Sequence, residues 1–486
     1  MLLPITATVA GADRQQTEAV SSFYAARGQA PAWSDDALYG DLVAAIQGLS
    51  DHGLVPDHYH LQALLENQEN LDVRERLATM AWFSAAAHML NGKLDPATYE
   101  PDWTARGRKQ DLAAHLTTAV SDRSVAGSLD ALSPRHPEYR ALKAELALLR
   151  ARPEETPIAV SDGPLLANGA VGERVEQLQA RLAQLGVLPV AAQTGVFDEI
   201  TEGAVEKFQV KSGLAVDGMV GPATLRGLRQ DDQSKIEQVT VNMERWRWLP
   251  DDLGPRHVRV NLADFSVSTY HRGRLERTHS VIIGQPYRKT PVFTSYISYI
   301  VLNPWWETPE SIARKDKLPL FKQDPASADR LGYQILAGSQ VVPAASIDWA
   351  ALSEDNFPYR IRQAPGPHNA LGRIKFMFPN KHNVYLHDTP NRGLFSQHQP
   401  MFSSGCIRVQ DPLELAAWVF QDTPGWDAER FEQVIADGKE LRVNLERAVP
   451  IHILYFTAEV DGARRYLPDV YGRDSAVLDG LLRQGG

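Results

Sequence analysis

Two neighbouring stretches decide how this chain is read: Asn383-Val384-Tyr385-Leu386-His387-Asp388-Thr389-Pro390 and, one loop later, Phe402-Ser403-Ser404-Gly405-Cys406-Ile407-Arg408-Val409. Cys406 is the only cysteine in 486 residues. It therefore has no intrachain disulfide partner and no cysteine cluster to join, and its best use is as a nucleophile beside an imidazole. The β-rich run Asn383–His387 predicts a strand, which holds the His387 ring still at its end with one nitrogen toward a cleft. Pro390, Asn391, Arg392, Gly393 and Pro400 predict the loop between the two stretches. Gly405 allows close backbone approach, so N–H groups around Ser404 to Cys406 are candidates for an oxyanion hole. Arg408 follows Cys406 by two residues, which places both on one face of an extended segment, where the guanidinium can hold a substrate carboxylate. A thiol at its reference pKa is mostly protonated at neutral pH, so His387 and Arg408 are expected to lower that of Cys406. Thiolate attack on a carbonyl, with imidazolium protonating the departing amine, is the implied chemistry. The competing reading is an inert buried thiol, the commoner fate of a lone cysteine.

Around this motif the period is that of strands. His257–Leu262, Ser266–Tyr270, His279–Gly284, Tyr296–Leu302 and Lys375–Phe378 are β-branched or aromatic and often alternate. Residues 307–367 interrupt them with a helix-like Ser311–Lys315 and a long irregular stretch containing Trp349, Phe357 and Tyr359; excursions of this length are commonly functional, and the aromatic content predicts an ordered lid. Further upstream the period becomes helical. Leu38, Leu42, Ile46 and Leu49, then Val73–Leu90, then Tyr139, Leu142, Leu146 and Leu149 mark helices in residues 13–150, the last beginning near Pro137. Asp51-His52 and Asp57-His58-Tyr59-His60 contain metal-ligand types, but Gly53 and Pro56 between them make a helix-joining turn the simpler reading. Residues 151–167 read as a linker. Val175, Leu178, Leu182 and Leu185, then Ala204, Val205 and Phe208, then Pro222–Leu225 predict three short helices in a compact module over 168–229. A further helix is expected from Ile236 to Trp248.

The chain has a formal net charge of -10, with 43% hydrophobic and 23% charged residues. This is an ordinary globular composition without the basic patch that a nucleic-acid partner requires. No run reaches the roughly 18 apolar residues of a membrane helix. Residues 1–12 are apolar and small, with Ala10-Gly11-Ala12 before Asp13 but no basic start, and read as the remnant of an export signal, with a frayed apolar terminus as the alternative.

The module at 168–229 resembles the peptidoglycan-binding domain of bacterial cell-wall enzymes, through its Leu-Gln-x-x-Leu helix, Gly-x-Phe-Asp turn, Phe208-Gln209 pair and Asp-Gly-x-x-Gly-Pro-x-Thr ending. His-Asp-Thr-Pro followed by Ser-Ser-Gly-Cys-Ile-Arg-Val resembles the signature of the YkuD L,D-transpeptidase catalytic domain. Gly284 through Lys289-Thr290-Pro291, Asn303-Pro304-Trp305-Trp306 and Asn369 through Phe376 match further segments of that family. The order of regions resembles the large periplasmic L,D-transpeptidases of the YcbB type. Ser404 departs from the pattern, since many members carry His before Gly-Cys; this makes His387 the leading base, with His398 second.

The resemblance implies an α+β multi-domain protein: a helical scaffold, a three-helix peptidoglycan-binding module and a β-rich, sandwich-like catalytic domain over 230–486 with a lid at 307–367. It implies that Cys406 attacks the L-centre carbonyl of diaminopimelate in a tetrapeptide stem, expels D-Ala, and passes the acyl group to a neighbouring stem's amine as a 3-3 crosslink. His387 is then base and later acid, Arg408 and Ser403 position the donor, and Tyr385, Asn303, Trp305, Trp306 and Asp388 line or brace the cleft, Asp388 being the weaker assignment. No cofactor or metal is implied. Peptidoglycan stems and glycan are the implied partners, carbapenems the implied inhibitors, wall synthases a further partner class, and the periplasm the location. A cysteine carboxypeptidase or endopeptidase, and a noncatalytic wall-binding scaffold, are the alternatives.

Overall fold

The computed structural model describes residues 6–153 and 156–484. The chain divides into two compact units, Met1–Asp252 with Phe456–Gly486, and Leu253–Tyr455. Of the expected export-signal remnant, residues 1–5 lie outside the described residues.

The first unit is helical. Asp35, Asn70 and Asp111 cap the helices Asp36–Gln47, Leu71–Asn91 and Leu112–Ser121 by accepting first-turn N–H groups on their side chains. The apolar faces of these helices meet around Trp33, Trp82, Phe83 and Trp248, all buried. The acidic and histidine-rich stretch is indeed a turn, made of two short 3₁₀ segments, Gly48–His52 and Pro56–Tyr59. His52 is tied to the Tyr139 hydroxyl at 2.9 Å and to Asp130 at 3.0 Å.

The three short helices of the central module are Glu173–Gln184, Glu199–Lys211 and Pro222–Leu228, the last opened by proline at its first position. The Phe208-Gln209 pair divides its labour. Phe208 enters the apolar core, while the buried Gln209 amide donates to Asp217, Met219 O and Thr224 and accepts from the N–H groups of Asp217 and Gly218. Gln209 thus fixes the loop before the third helix.

Residues 232–252 and 456–486 group with this helical unit, whereas the expectation assigned everything from 230 onward to the catalytic domain. The reason is side-chain pairing. On the helix Asp232–Arg247, Trp246 stacks on Phe456 at 4.7 Å, Arg245 pairs with Asp474 at 2.6 Å, and Asn242 exchanges hydrogen bonds with Thr457.

The second unit is built on β1 (Arg256–Asn261), β2 (Ser266–His271), β3 (Arg274–Gly284), β4 (Phe293–Leu302), β5 (Trp306–Glu307), β6 (Tyr333–Ala337), β7 (Gln340–Val342), β8 (Arg360–Gln363), β9 (Ile374–Met377), β10 (Leu386–His387), β11 (Met401–Ser403), β12 (Ile407–Val409) and β13 (Leu441–Leu454). Nine of these form one mixed sheet in the order β11-β3-β12-β10-β9-β4-β13-β1-β2. The sheet folds back on itself, because β3 pairs with β2 along its first part and with β12 and β11 along its last. The expected strand Asn383–His387 is only two residues long. Asn380 takes the segment before it into a turn, its side chain bonding Phe378 O, Val384 O and the N–H groups of His382 and Val384, and Asn383 has φ 55°.

The insertion between β4 and β9 is ordered, with its own core of Trp306, Phe321, Tyr333, Trp349, Phe357 and neighbours. The stretch read as irregular contains a small sheet, β5-β8-β6-β7, which sequence periodicity did not reveal because its strands are two to five residues long. The helix-like Ser311–Lys315 falls in helix and includes a single π turn, Ala313–Lys317.

Candidate active site

β10 and β12 run parallel, with Leu386 paired to Ile407 and His387 to Arg408. Paired residues of a parallel ladder point to the same side, and successive residues alternate. Ile407 N–H bonds Tyr385 O at 3.1 Å, extending the register by one residue. Tyr385, His387, Cys406 and Arg408 therefore share one face. On the other flank of β10, Lys375 of β9 pairs with His387 and joins the same face.

Cys406 is partly exposed. Its sulfur lies 3.8 Å from Asn383 O, with Tyr385 acting on it from the adjoining strand. No hydrogen bond joins the thiol to the His387 ring among the described residues. Burial pushes the thiol pKa up, against the opposing pull of Tyr385 and of the Arg408 and Lys375 charges. This corrects the expectation of a thiol lowered by His387 and Arg408. Desolvation of the anion outweighs the nearby cations, and His387 carries no charge to offer.

His387 is buried, and its Nδ1 lies 2.5 Å from the backbone oxygen of Asp388. A carbonyl only accepts, so Nδ1 carries the proton and Nε2 keeps a free lone pair. Burial, then the charges of Arg408 and Lys375 on the adjoining strands, drive the imidazole pKa down to about 3. The ring is neutral at working pH, suited to accept a proton during reaction rather than to hold one beforehand.

The loop before Cys406 spends several of its own groups on itself. Gly405 has φ 113°, a backbone conformation that favours glycine. Its N–H donates to Ser403 Oγ at 3.1 Å, and its carbonyl accepts from Thr290 Oγ1 at 2.9 Å. Ser403, buried, donates to Cys406 O at 2.5 Å, so its hydroxyl braces the loop instead of meeting a donor stem. Ser404 Oγ accepts from Arg288 at 2.7 Å. The N–H groups of Ser404 and Cys406 have no intramolecular acceptor among the described residues, so these two amides, and not that of Gly405, are the candidate oxyanion donors.

Of the expected cleft residues, Tyr385 shares the face of Cys406. Trp306, 8% exposed, packs in the insertion's core, against which Tyr385 also packs. Trp305 is partly exposed beneath the Arg362 guanidinium, 4.5 Å from its ring. Asn303 does not line the cleft; its amide bonds the carbonyls of Val434, Ile435 and Lys439 and so clamps the end of the helix Ala428–Ala436. The Asp388 carboxylate does not reach the His387 ring either. It takes the Arg373 N–H at 2.9 Å and pairs with Arg392 at 3.2 Å, leaving the ring to the Asp388 carbonyl. Lys375 and Lys317 were missed as site residues. The alternation of Lys375-Phe376 in a predicted strand is the signal that finds the first; nothing local finds the second, which reaches the site from the insertion.

Comparison with known proteins places this geometry. Residues 255–426 match the model of the L,D-transpeptidase catalytic domain, YkuD. Residues 171–228 match a peptidoglycan binding domain, and 18–146 a scaffold domain. A Haemophilus influenzae protein named "Putative L,D-transpeptidase" is 37% identical over 248 residues, 50% of this chain and 50% of that protein. The chain thus spans about half the length of that relative. The zinc D-Ala-D-Ala carboxypeptidase of Streptomyces albus G is 44% identical over 84 residues, 16% of this chain and 33% of that one. Among solved structures, an L,D-transpeptidase of Xylanimonas cellulosilytica is 16% identical with a TM-score of 0.20, covering 60% of this chain and 99% of that one. L,D-transpeptidase 1 of Mycobacterium tuberculosis is 12% identical with a TM-score of 0.17, covering 41% and 61%. The site just described lies within residues 255–426, which belong to the YkuD family of L,D-transpeptidase catalytic domains, in a chain that also carries a peptidoglycan-binding domain.

Proposed function

We propose that the protein is a cysteine acyltransferase that forms 3-3 crosslinks between peptidoglycan stems outside the cytoplasm. Cys406 attacks the L-centre carbonyl of diaminopimelate in a tetrapeptide donor. The C–N bond to D-Ala breaks as the C–S bond forms, and the thiol proton passes through His387 Nε2 to the departing amine. The amine of an acceptor stem then attacks the thioester, forming the new amide; its proton returns through His387 and the sulfur leaves as the thiol. The N–H groups of Ser404 and Cys406 serve the oxyanion, and Arg408 holds a donor carboxylate.

The observation that carries this reading is the single β10–β12 face, which brings a partly exposed sulfur, a neutral imidazole with a free nitrogen and an unpaired guanidinium together. Because thiol and imidazole both rest neutral, proton transfer accompanies attack instead of preceding it. The peptidoglycan-binding domain supports wall glycan as the partner, and no helix among the described residues is long and apolar enough to cross a membrane.

Incubation with purified tetrapeptide muropeptides, read by mass spectrometry, tests the proposal. Crosslinked dimer with loss of D-Ala is expected from wild type and none from Cys406→Ala. Monomeric tripeptide alone would make the enzyme an L,D-carboxypeptidase, and unchanged substrate together with no carbapenem adduct at Cys406 would make it a noncatalytic wall-binding protein.

A further inference from the structure

Two amides beside the nucleophile, those of Ser404 and Cys406, find no acceptor among the described residues, and both belong to peptide units whose carbonyls are held from one turn. That turn, residues 284–290, joins β3 to β4. Its Gln285 N–H donates to Ser403 O at 3.0 Å, and its Thr290 hydroxyl donates to Gly405 O at 2.9 Å. A trans peptide sets its C=O and N–H on opposite sides of one plane. The held Ser403 carbonyl therefore directs the Ser404 N–H away from the turn, and the held Gly405 carbonyl directs the Cys406 N–H likewise.

The sense of the Thr290 bond is set by its neighbours. Thr290 Oγ1 accepts the Gly284 N–H at 3.0 Å, and a carbonyl only accepts, so the single hydroxyl proton lies toward Gly405 O. Thr290 is fully buried, out of reach of solvent that would compete for either bond. The turn itself is tightly closed. Arg288 N–H bonds Gln285 O at 2.8 Å, and a Cβ added to Gly284 would fall 2.1 Å from Arg288 O, so glycine is what lets the chain fold back this far. From the same turn the Arg288 side chain holds Ser404 Oγ at 2.7 Å.

The nucleophile's loop requires such a hold. Gly405 has φ 113°, and without a Cβ it leaves the Gly405–Cys406 peptide free to rotate between orientations that other residues would separate. A flipped unit would turn its carbonyl oxygen, instead of its N–H, toward a developing negative charge. Donation to the carbonyl also polarises the peptide and strengthens its N–H as a donor.

We propose that Thr290 is a positioning residue for acyl transfer: it locks the Gly405–Cys406 peptide so that the Cys406 N–H meets the oxyanion, as the Gln285 amide does for the Ser404 N–H. This assignment rests on Cys406 acting as the acyl-transfer nucleophile. Thr290 acts through the peptide and not on the substrate.

The lone cysteine makes that peptide visible. In full-length protein carrying carbonyl-13C glycine and 15N cysteine, Gly405–Cys406 is the one doubly labelled peptide. Thr290→Val keeps the side chain's shape and deletes the hydroxyl. It should move the Gly405 carbonyl resonance upfield and lower kcat on tetrapeptide muropeptides about 30-fold, with little change in KM. Alkylation of Cys406 by iodoacetamide, which displaces iodide at a saturated carbon and develops no oxyanion, should be unchanged. Thr290→Ser should restore both the resonance and kcat. An unmoved resonance or an undiminished kcat overturns the proposal. So does alkylation that falls in step with kcat, since the residue would then support the thiol and not the oxyanion. Thr290→Ala carries the same readouts if Thr290→Val fails to fold. Wild-type protein that turns over no donor, with the resonance still moved by the substitution, removes the acyl-transfer reading and leaves the peptide lock. Turnover with an unmoved resonance removes the lock and leaves the acyl transfer.

Discussion

Acid should unfold the sheet unit through one buried ring. His387 sits between Lys375 and Arg408 on the two adjoining strands, with Nδ1 held by the Asp388 carbonyl, and its pKa falls to about 3. In the unfolded chain the same imidazole titrates near 6.5, so below that pH the unfolded state binds a proton that the folded state refuses. Stability is therefore complete above about 6.5 and is lost as pH falls toward 3. At about 1.4 kcal/mol per pH unit, the loss between neutrality and about pH 4.5 is ~2.5 kcal/mol, and the full window corresponds to ~5 kcal/mol. The group is buried, so solvent screening takes little from this figure. The measurement uses urea denaturation at several pH values, with unfolding read by hydrogen exchange of the buried amides in β4, β9 and β13. Those strands belong to the sheet unit, so the readout is insensitive to the helical unit. His387→Gln, which cannot take the proton, should have a flatter pH profile by about the same ~2.5 kcal/mol, and Lys375→Met an intermediate one. Equal pH slopes for wild type and His387→Gln, or an NMR titration of the ring near 6.5, would refute the reasoning.

Alkylation of Cys406 by a neutral reagent should keep rising with pH beyond the ordinary thiol range, because burial holds the thiol pKa up; Lys375→Met, which removes an opposing charge, should move the rise higher still. A plateau already reached at neutral pH would contradict this. Gly372→Ala should cost about 2 kcal/mol or more, since φ is 59° and the added Cβ would fall 2.4 Å from the Asp388 carboxyl carbon; unchanged denaturation with undiminished activity would show that the Asp388 backbone does not hold His387. Asn303→Gly keeps the positive φ accessible but deletes the bonds to Val434, Ile435 and Lys439, for an expected loss of about 2 kcal/mol in denaturant titration. Gln209→Leu should destabilise the peptidoglycan-binding domain by about 2–4 kcal/mol, visible as local hydrogen exchange in residues 213–221 without change at Cys406.

Much of the site was legible because a strand's alternation and a parallel register need only local sequence. Cys406 and Arg408 at spacing two, and Tyr385 and His387 likewise, share a face in the structure as the spacing requires. What the spacing did not contain was which hydrogen bonds each group would spend. Ser403 and Gly405 looked available and are consumed inside their loop, while Asn303 serves a helix end that lies over 130 residues away in sequence. The three helices of the wall-binding module and the capped helices of the scaffold were equally legible, because caps and apolar periods are local. The grouping of residues 456–486 with the helical unit was not, since it depends on partners such as Trp246 and Phe456 that only folding brings together.

By itself the amino-acid order singled out the candidate nucleophile, the candidate base and the succession of helical, three-helix and β-rich regions, because these rest on residue type and short-range period. Tertiary structure alone decided the charge state of the site. Desolvation and the placement of Lys375 and Arg408 on either side of His387 depend on neighbours distant in sequence, and they turn the anticipated thiolate and imidazolium into a neutral thiol and a neutral ring.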